Sequence, residues 1–162
     1  MRPNILLYGI GNPGRTDDGL GIHVVSEIEQ WLVKQDYTSV ITECNYQLNI
    51  EDANTISYYD IVIFIDASME EHVDEYIITP VSPSEKTTYT LHHAPPELIL
   101  HLCDSLYNRK PDAYLMHIKG FKWDLAEGLT EEAKHNGDKA LKILKDIIID
   151  PKKMSISYSS AS

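Results

Sequence analysis

The stretch "LLYGIGNPGRTDDGLG", Leu6 to Gly21, decides how the chain begins. The largely apolar run from Asn4 to Tyr8 ends on a glycine and reads as a buried strand. From Leu20 the pattern changes to a helical one, with Leu20, Val24, Ile28, Trp31 and Leu32 on one face and Asp17 or Asp18 placed to cap its start. Between strand and helix, Gly9-Ile10-Gly11-Asn12-Pro13-Gly14 satisfies the dinucleotide-binding pattern G-x-G-x-x-G. In such a fold the third glycine lies in the helix's first turn, and the pyrophosphate rests on free N–H groups there. Here the helix begins later, near Gly19, and Asp17 and Asp18 stand where the pyrophosphate would sit. Glu43, the acid ending the second strand, also comes later than the usual spacing of about 20 residues. The loop therefore presents acids to a cation and does not hold a nucleotide.

Working outward, Ser39 to Thr42 reads as a second strand, and Ile61 to Ile65 (IVIFI), β-branched and uniformly apolar, as the central one. Glu75 to Thr79 alternates and stops at Pro80, as an edge strand does. Pro95 to Leu106 reads as a helix with proline in its first turn, and Ala113 to Ile118 as another strand. Thr130 caps a long last helix, with Glu131 and Glu132 suited to its dipole. Its apolar stripe is Ala133, Ala140, Leu141, Leu144, Ile147 and Ile148. Strands alternating with helices imply an α/β fold. The expected form is a three-layer sandwich around a mostly parallel, twisted sheet of about five strands, with one antiparallel edge strand. Residues 1–150 form one domain in this reading, and 151–162, ending in "SISYSSAS", a frayed tail.

The 25 acidic and 14 basic residues leave a net charge of −11 over 162 residues, which argues against nucleic acid and anionic membrane partners. Cys44 and Cys103 form no C-x-x-C pair and read as reduced, packed thiols. The short apolar run after Arg2 and Pro3 is no signal peptide, and no apolar stretch approaches membrane-spanning length. The expected compartment is the cytoplasm.

In open α/β sheets, sites form beyond the carboxyl ends of the strands. Asp18 lies in the loop after the first strand, and Asp66 follows IVIFI directly. His92-His93 occupies the loop before the Pro95 helix. Two carboxylates, an imidazole and an open position suit a borderline divalent metal. Singly, each has a plainer use: Asp18 as a cap, Asp66 bonding loop amides, the histidines solvated. His23, His101, His117 and His135 are assigned to faces and surfaces. The joint pattern favours the cation site.

That pattern resembles the hydrogenase maturation endopeptidases, which trim the C-terminal extension from the large subunit of nickel-iron hydrogenases after nickel insertion. "GIGNPGRTDDGLG" is similar to the family's opening signature, and "IFIDA", "HHAPPELI" and "GLTEEA" follow in the family's order. The resemblance runs from Ile5 to Leu144. It implies a nickel-dependent, aspartic-type endopeptidase with Asp18 and Asp66 as catalytic residues. It also implies a metal site of Asp18, Asp66 and one of His92 or His93. Since the family's histidine usually precedes a P-E-like pair by four residues, His92 is favoured and His93 is the alternative. Nickel would be supplied by the substrate, a hydrogenase large-subunit precursor, and other divalent metals would substitute in vitro. "ECNYQL" is bulkier than the family's pattern around Glu43, which speaks against a role for Glu43 in the cleft.

Peptidyl-tRNA hydrolases share the strand and G-x-G-N-P-G opening but continue with a histidine and a basic surface, where this chain has "RTDDGLG" and a negative charge. They are the alternative among enzymes. A non-catalytic nickel-binding assembly factor on the same fold is the alternative outside them. The chain has no G-x-S-x-G elbow, no H-E-x-x-H and no motif activating a cysteine, so proteolysis here means water chemistry. Asp17, or either ligand acid when released, is the candidate general base.

Overall fold

The structure, a computed structural model, describes residues 1–86 and 94–155. Five strands, β1 (Ile5–Ile10), β2 (Val40–Asn45), β3 (Ile61–Ser68), β4 (Tyr76–Val81) and β5 (Asp112–Lys119), form one sheet in the order β2-β1-β3-β5-β4. All neighbours are parallel except β4, which runs antiparallel to β5 at the edge. The helices α1 (Leu20–Val33), α2 (Asp52–Ile56), α3 (Pro96–Tyr107) and α4 (Glu131–Ile149) cover the sheet. The α/β sandwich expected from the alternating pattern is the observed architecture.

Side-chain alternation divides the core in two. Ile61, Ile63 and Ile65 of β3 pack with residues of α1 and α4, whereas Val62 and Phe64 pack with residues of α2 and α3. Because both faces of β3 are covered, Val62 to Ile65 are fully buried, as a parallel central strand requires. The same alternation brings Asp66 out on the α2–α3 side at the strand's carboxyl end.

Several boundaries differ from expectation for identifiable reasons. Pro80 lies inside β4, opposite Tyr114, and does not end it; an edge strand leaves alternate N–H groups without a ladder partner, so the missing donor is tolerated. The five residues of α2 are too few to show a period. Neither Asp17 nor Asp18 caps α1, whose N-cap is Gly19 with no side-chain bond. Both aspartates instead lie in a separate 3-10 turn, Thr16–Gly19. Thr130 does cap α4, accepting from the Ala133 N–H at 3.2 Å. Met154 is 4% exposed and belongs to the α1–α4 core. Met154 thus anchors the start of the expected tail, and 156–162 lie outside the described residues. No helix among the described residues is long and apolar enough to cross a membrane.

Candidate functional site

Two glycines bring the first loop onto the end of β3. Gly11 has φ +140°, in the region that favours glycine, and a Cβ there would lie 1.9 Å from the Asp18 carbonyl oxygen. Its own N–H donates to Asn45 O at 3.1 Å, anchoring the turn to β2. A Cβ at Gly21 would lie 2.3 Å from Ile65 O, so the first turn of α1 rests on the residue before Asp66. The 3-10 turn that bears Asp18 is folded back in this way over the carboxyl ends of β1 and β3. The Asn12 N–H donates to Asp18 Oδ2 at 3.1 Å and holds that carboxylate in place.

The result is an acid pair. The Asp66 carboxyl is pushed up to about 7, first by burial and second by the charge of Asp18, with the Ala67 N–H pulling the other way. A buried carboxyl set against a second carboxylate forms a site where one proton or one cation is favoured. The structure therefore places Asp18 and Asp66 together, as the sequence reading expects. The third expected donor, His92 or its alternative His93, lies outside the described residues. Among the described residues, no group of three or more histidines, cysteines and acids can hold a metal ion.

Asp17 has a different task from its neighbour. It is fully buried and accepts four hydrogen bonds: to Oδ2 from the N–H groups of Phe121 at 2.8 Å and Lys122 at 3.0 Å and from the Thr130 hydroxyl at 2.8 Å, and to Oδ1 from the Thr130 N–H at 2.8 Å. Burial alone would raise its pKa, but these bonds, those of Thr130 foremost, outweigh burial and hold it below the usual carboxylate value. A carboxylate so saturated and so buried is no general base, which removes Asp17 from the catalytic candidates. It ties the acid loop to the segment between β5 and α4. Thr16, at φ 49°, adds two bonds to the same segment, from its N–H to Ala126 O and from its hydroxyl to Asp124 O, each 2.8 Å.

His117, assigned from sequence to the faces and surfaces, lies on the strand next to Asp66. It pairs in register with Asp66 on the adjacent parallel strand, and paired residues of parallel strands share a face. Its pKa is lowered by burial first and by His72 second, against Glu70 and Glu97, so the ring is neutral at pH 7. The available signal was the alternation of Ala113, Leu115 and His117 along β5. On the other side, Glu43 is exposed in register with Tyr8, whose hydroxyl donates to Asp52 Oδ1 at 2.9 Å. Burial and then Asp52 raise the Tyr8 phenol well above its ordinary range. Cys44 and Cys103 are free thiols, and desolvation raises both, so neither is an activated nucleophile.

No protein-family model and no curated protein sequence matches the chain. Solved structures do. The [NiFe] hydrogenase maturation protease HycI from Thermococcus kodakarensis KOD1 is 19% identical, with a TM-score of 0.71 over 91% of this chain and 94% of that one. The [NiFe] hydrogenase maturation protease HybD from Thermococcus kodakarensis is 19% identical, with a TM-score of 0.63 over 91% and 99%. The hydrogenase maturating endopeptidase HybD from E. coli is 22% identical, with a TM-score of 0.60 over 91% and 92%. With its acid pair at the carboxyl end of β3 and its sheet matched along nearly the whole chain, this protein has the fold of the [NiFe] hydrogenase maturation proteases.

Proposed function

We propose that the protein is an endopeptidase that removes the C-terminal extension of a nickel-iron hydrogenase large subunit after nickel insertion, in the cytoplasm. The observation that carries the reading is the partly buried Asp66 carboxyl held against Asp18, on a fold shared with maturation proteases. A buried carboxyl set against a second carboxylate fits a divalent cation, which relieves the repulsion between them. Asp18, Asp66 and His92 are the donors in this proposal, and the cation is nickel already seated in the substrate. None of the three is a thiolate, so the site holds nickel weakly and a soft cysteine site in the precursor keeps it.

When bound, the nickel neutralises the acids and polarises the scissile carbonyl or a water. Asp66, when released from the metal, is the candidate to take the proton from the attacking water and return it to the leaving amine. Asp18 is held by the Asn12 N–H and contributes the second carboxylate toward the precursor's nickel. An affinity too low to strip the metal but sufficient to test for it makes cleavage a check on insertion.

The test is incubation of the protein with metal-free and nickel-loaded precursor, read by mass analysis of the large subunit. Loss of a C-terminal peptide only from the nickel-loaded form is the expected result. Equal cleavage of both forms would sink the checkpoint. An unchanged mass despite complex formation would make the protein an assembly factor.

The histidine assignment is tested separately. His92→Ala is expected to reduce cleavage by about 100-fold and His93→Ala by less than about 5-fold, since His92 stands four residues before the Pro96-Glu97 pair, the spacing that the family resemblance favours. A larger loss at His93 in the same assay would move the ligand by one residue.

A further inference from the structure

Five large apolar side chains stand exposed on the loops that leave the carboxyl ends of three strands: Tyr46 and Ile50 after β2, Met69 after β3, Phe121 and Leu125 after β5. Leu125 is 87% exposed and Met69 63%. None belongs to either hydrophobic core. Single exposed apolar residues need no explanation, but their collection at one end of the molecule, around the acid pair, marks an interaction surface.

The loops that carry them are joined to one another and to the acid loop. Gly120 N–H donates to Ser68 O at 2.9 Å, and Lys119 Nζ donates to Met69 O at 3.0 Å and Glu70 O at 2.8 Å. Thr16 N–H reaches Ala126 O, and Gly11 N–H reaches Asn45 O. Met69, Phe121 and Leu125 thus flank Asp18 on one side, and Tyr46 and Ile50 on the other. The same loops are acid-rich: Glu70, Glu71, Asp74, Asp124 and Glu127 are all exposed. With a chain net charge of −11, this end attracts a basic partner.

We propose that this rim is the docking surface for the folded body of the precursor, which meets it with an apolar patch bordered by lysine and arginine. The inference rests on the proposed proteolytic reading and names how that substrate is recognised. Loops of three strands contribute, so recognition extends beyond the tail that enters the cleft.

The experiment compares wild type with Phe121→Ser/Leu125→Ser, its fold checked by circular dichroism. The probes are the nickel-loaded precursor and a synthetic peptide of its C-terminal tail. For the precursor, the variant is expected to raise KM by about 10-fold or more with kcat nearly unchanged. Wild-type binding is expected to weaken as salt rises from about 50 to about 500 mM, and salt-independent binding would contradict the basic partner. The variant's binding of the tail peptide is expected to equal that of wild type. If the wild type cleaves the precursor and the variant matches it, the docking surface is wrong while the protease reading stands. If the wild type neither binds nor cleaves, the protease reading falls and this inference with it. Self-association of the wild type, abolished in the variant, would reassign the rim to contact between copies. Should the double variant fail to fold, Met69→Ser on a different exposed loop decides by the same KM criterion.

Discussion

Asp66→Asn is expected to lower cleavage of the nickel-loaded precursor on the order of a thousand-fold, about 4 kcal/mol of transition-state stabilisation, while making the metal-free protein more stable at alkaline pH. The two effects have one cause. The fold holds a carboxyl partly buried against a second carboxyl, which favours a cation or proton between them and penalises the bare anions. The asparagine keeps the volume and loses the charge. The sign follows from the raised pKa, about 7 in the folded protein against 3.8 for the ordinary group. A raised value means that the folded state binds the proton more tightly than the unfolded chain does. Its stabilising effect is complete below the unfolded value and is lost as pH rises through 7. A shift of this size corresponds to at most about 4 kcal/mol, and water reaching the carboxyl reduces it to about 2 kcal/mol. About two thirds of that loss falls between pH 5 and pH 8, so the melting temperature of metal-free wild type should fall about 2–5 °C there relative to Asp66→Asn. Calorimetry at the two pH values checks the stability half, and precursor mass the activity half. A variant that cleaves at the wild-type rate would refute the acid-pair site. A melting difference that ignores pH would mean that Asp18 and burial do not act on Asp66 as described.

Asp17→Ala is expected to destabilise the protein by about 4 kcal/mol, because it leaves three backbone N–H groups and the Thr130 hydroxyl without their acceptor in a buried site. Asp17→Asn, which retains size but turns an amide N–H₂ toward those donors, is expected to cost about 2 kcal/mol. The lowered pKa sets the pH window. The stabilisation is present above the ordinary carboxylate value of 3.8 and is lost as pH falls through the depressed folded value. Urea unfolding of wild type and Asp17→Asn at neutral pH and in acid should show the gap narrow only in acid. A general base would behave otherwise: its asparagine variant would lose cleavage while keeping its midpoint. Loss of cleavage without loss of stability would restore Asp17 to the catalytic set.

The sequence by itself determined the layers of this protein. The apolar run IVIFI, the glycine-ended first strand and the helical stripes are short-range patterns, set by which faces of a strand or helix must leave water. They placed β3 at the centre, β4 at the edge and α4 behind the Thr130 cap. They also put Asp18 and Asp66 at the carboxyl ends of adjacent strands, because a parallel sheet collects those ends on one side. Tertiary structure alone decided what each acid does. Asp17 and Asp18 are the same residue type in adjacent positions, with nothing local to separate them. Asp17 is saturated by donors 104 to 113 residues away, while Asp18 faces Asp66. His117 likewise joins the acid face through strand register, and Met154 enters the core beyond the end of α4. Each of these depends on which distant segments meet, and a pattern confined to neighbouring residues carries no record of that.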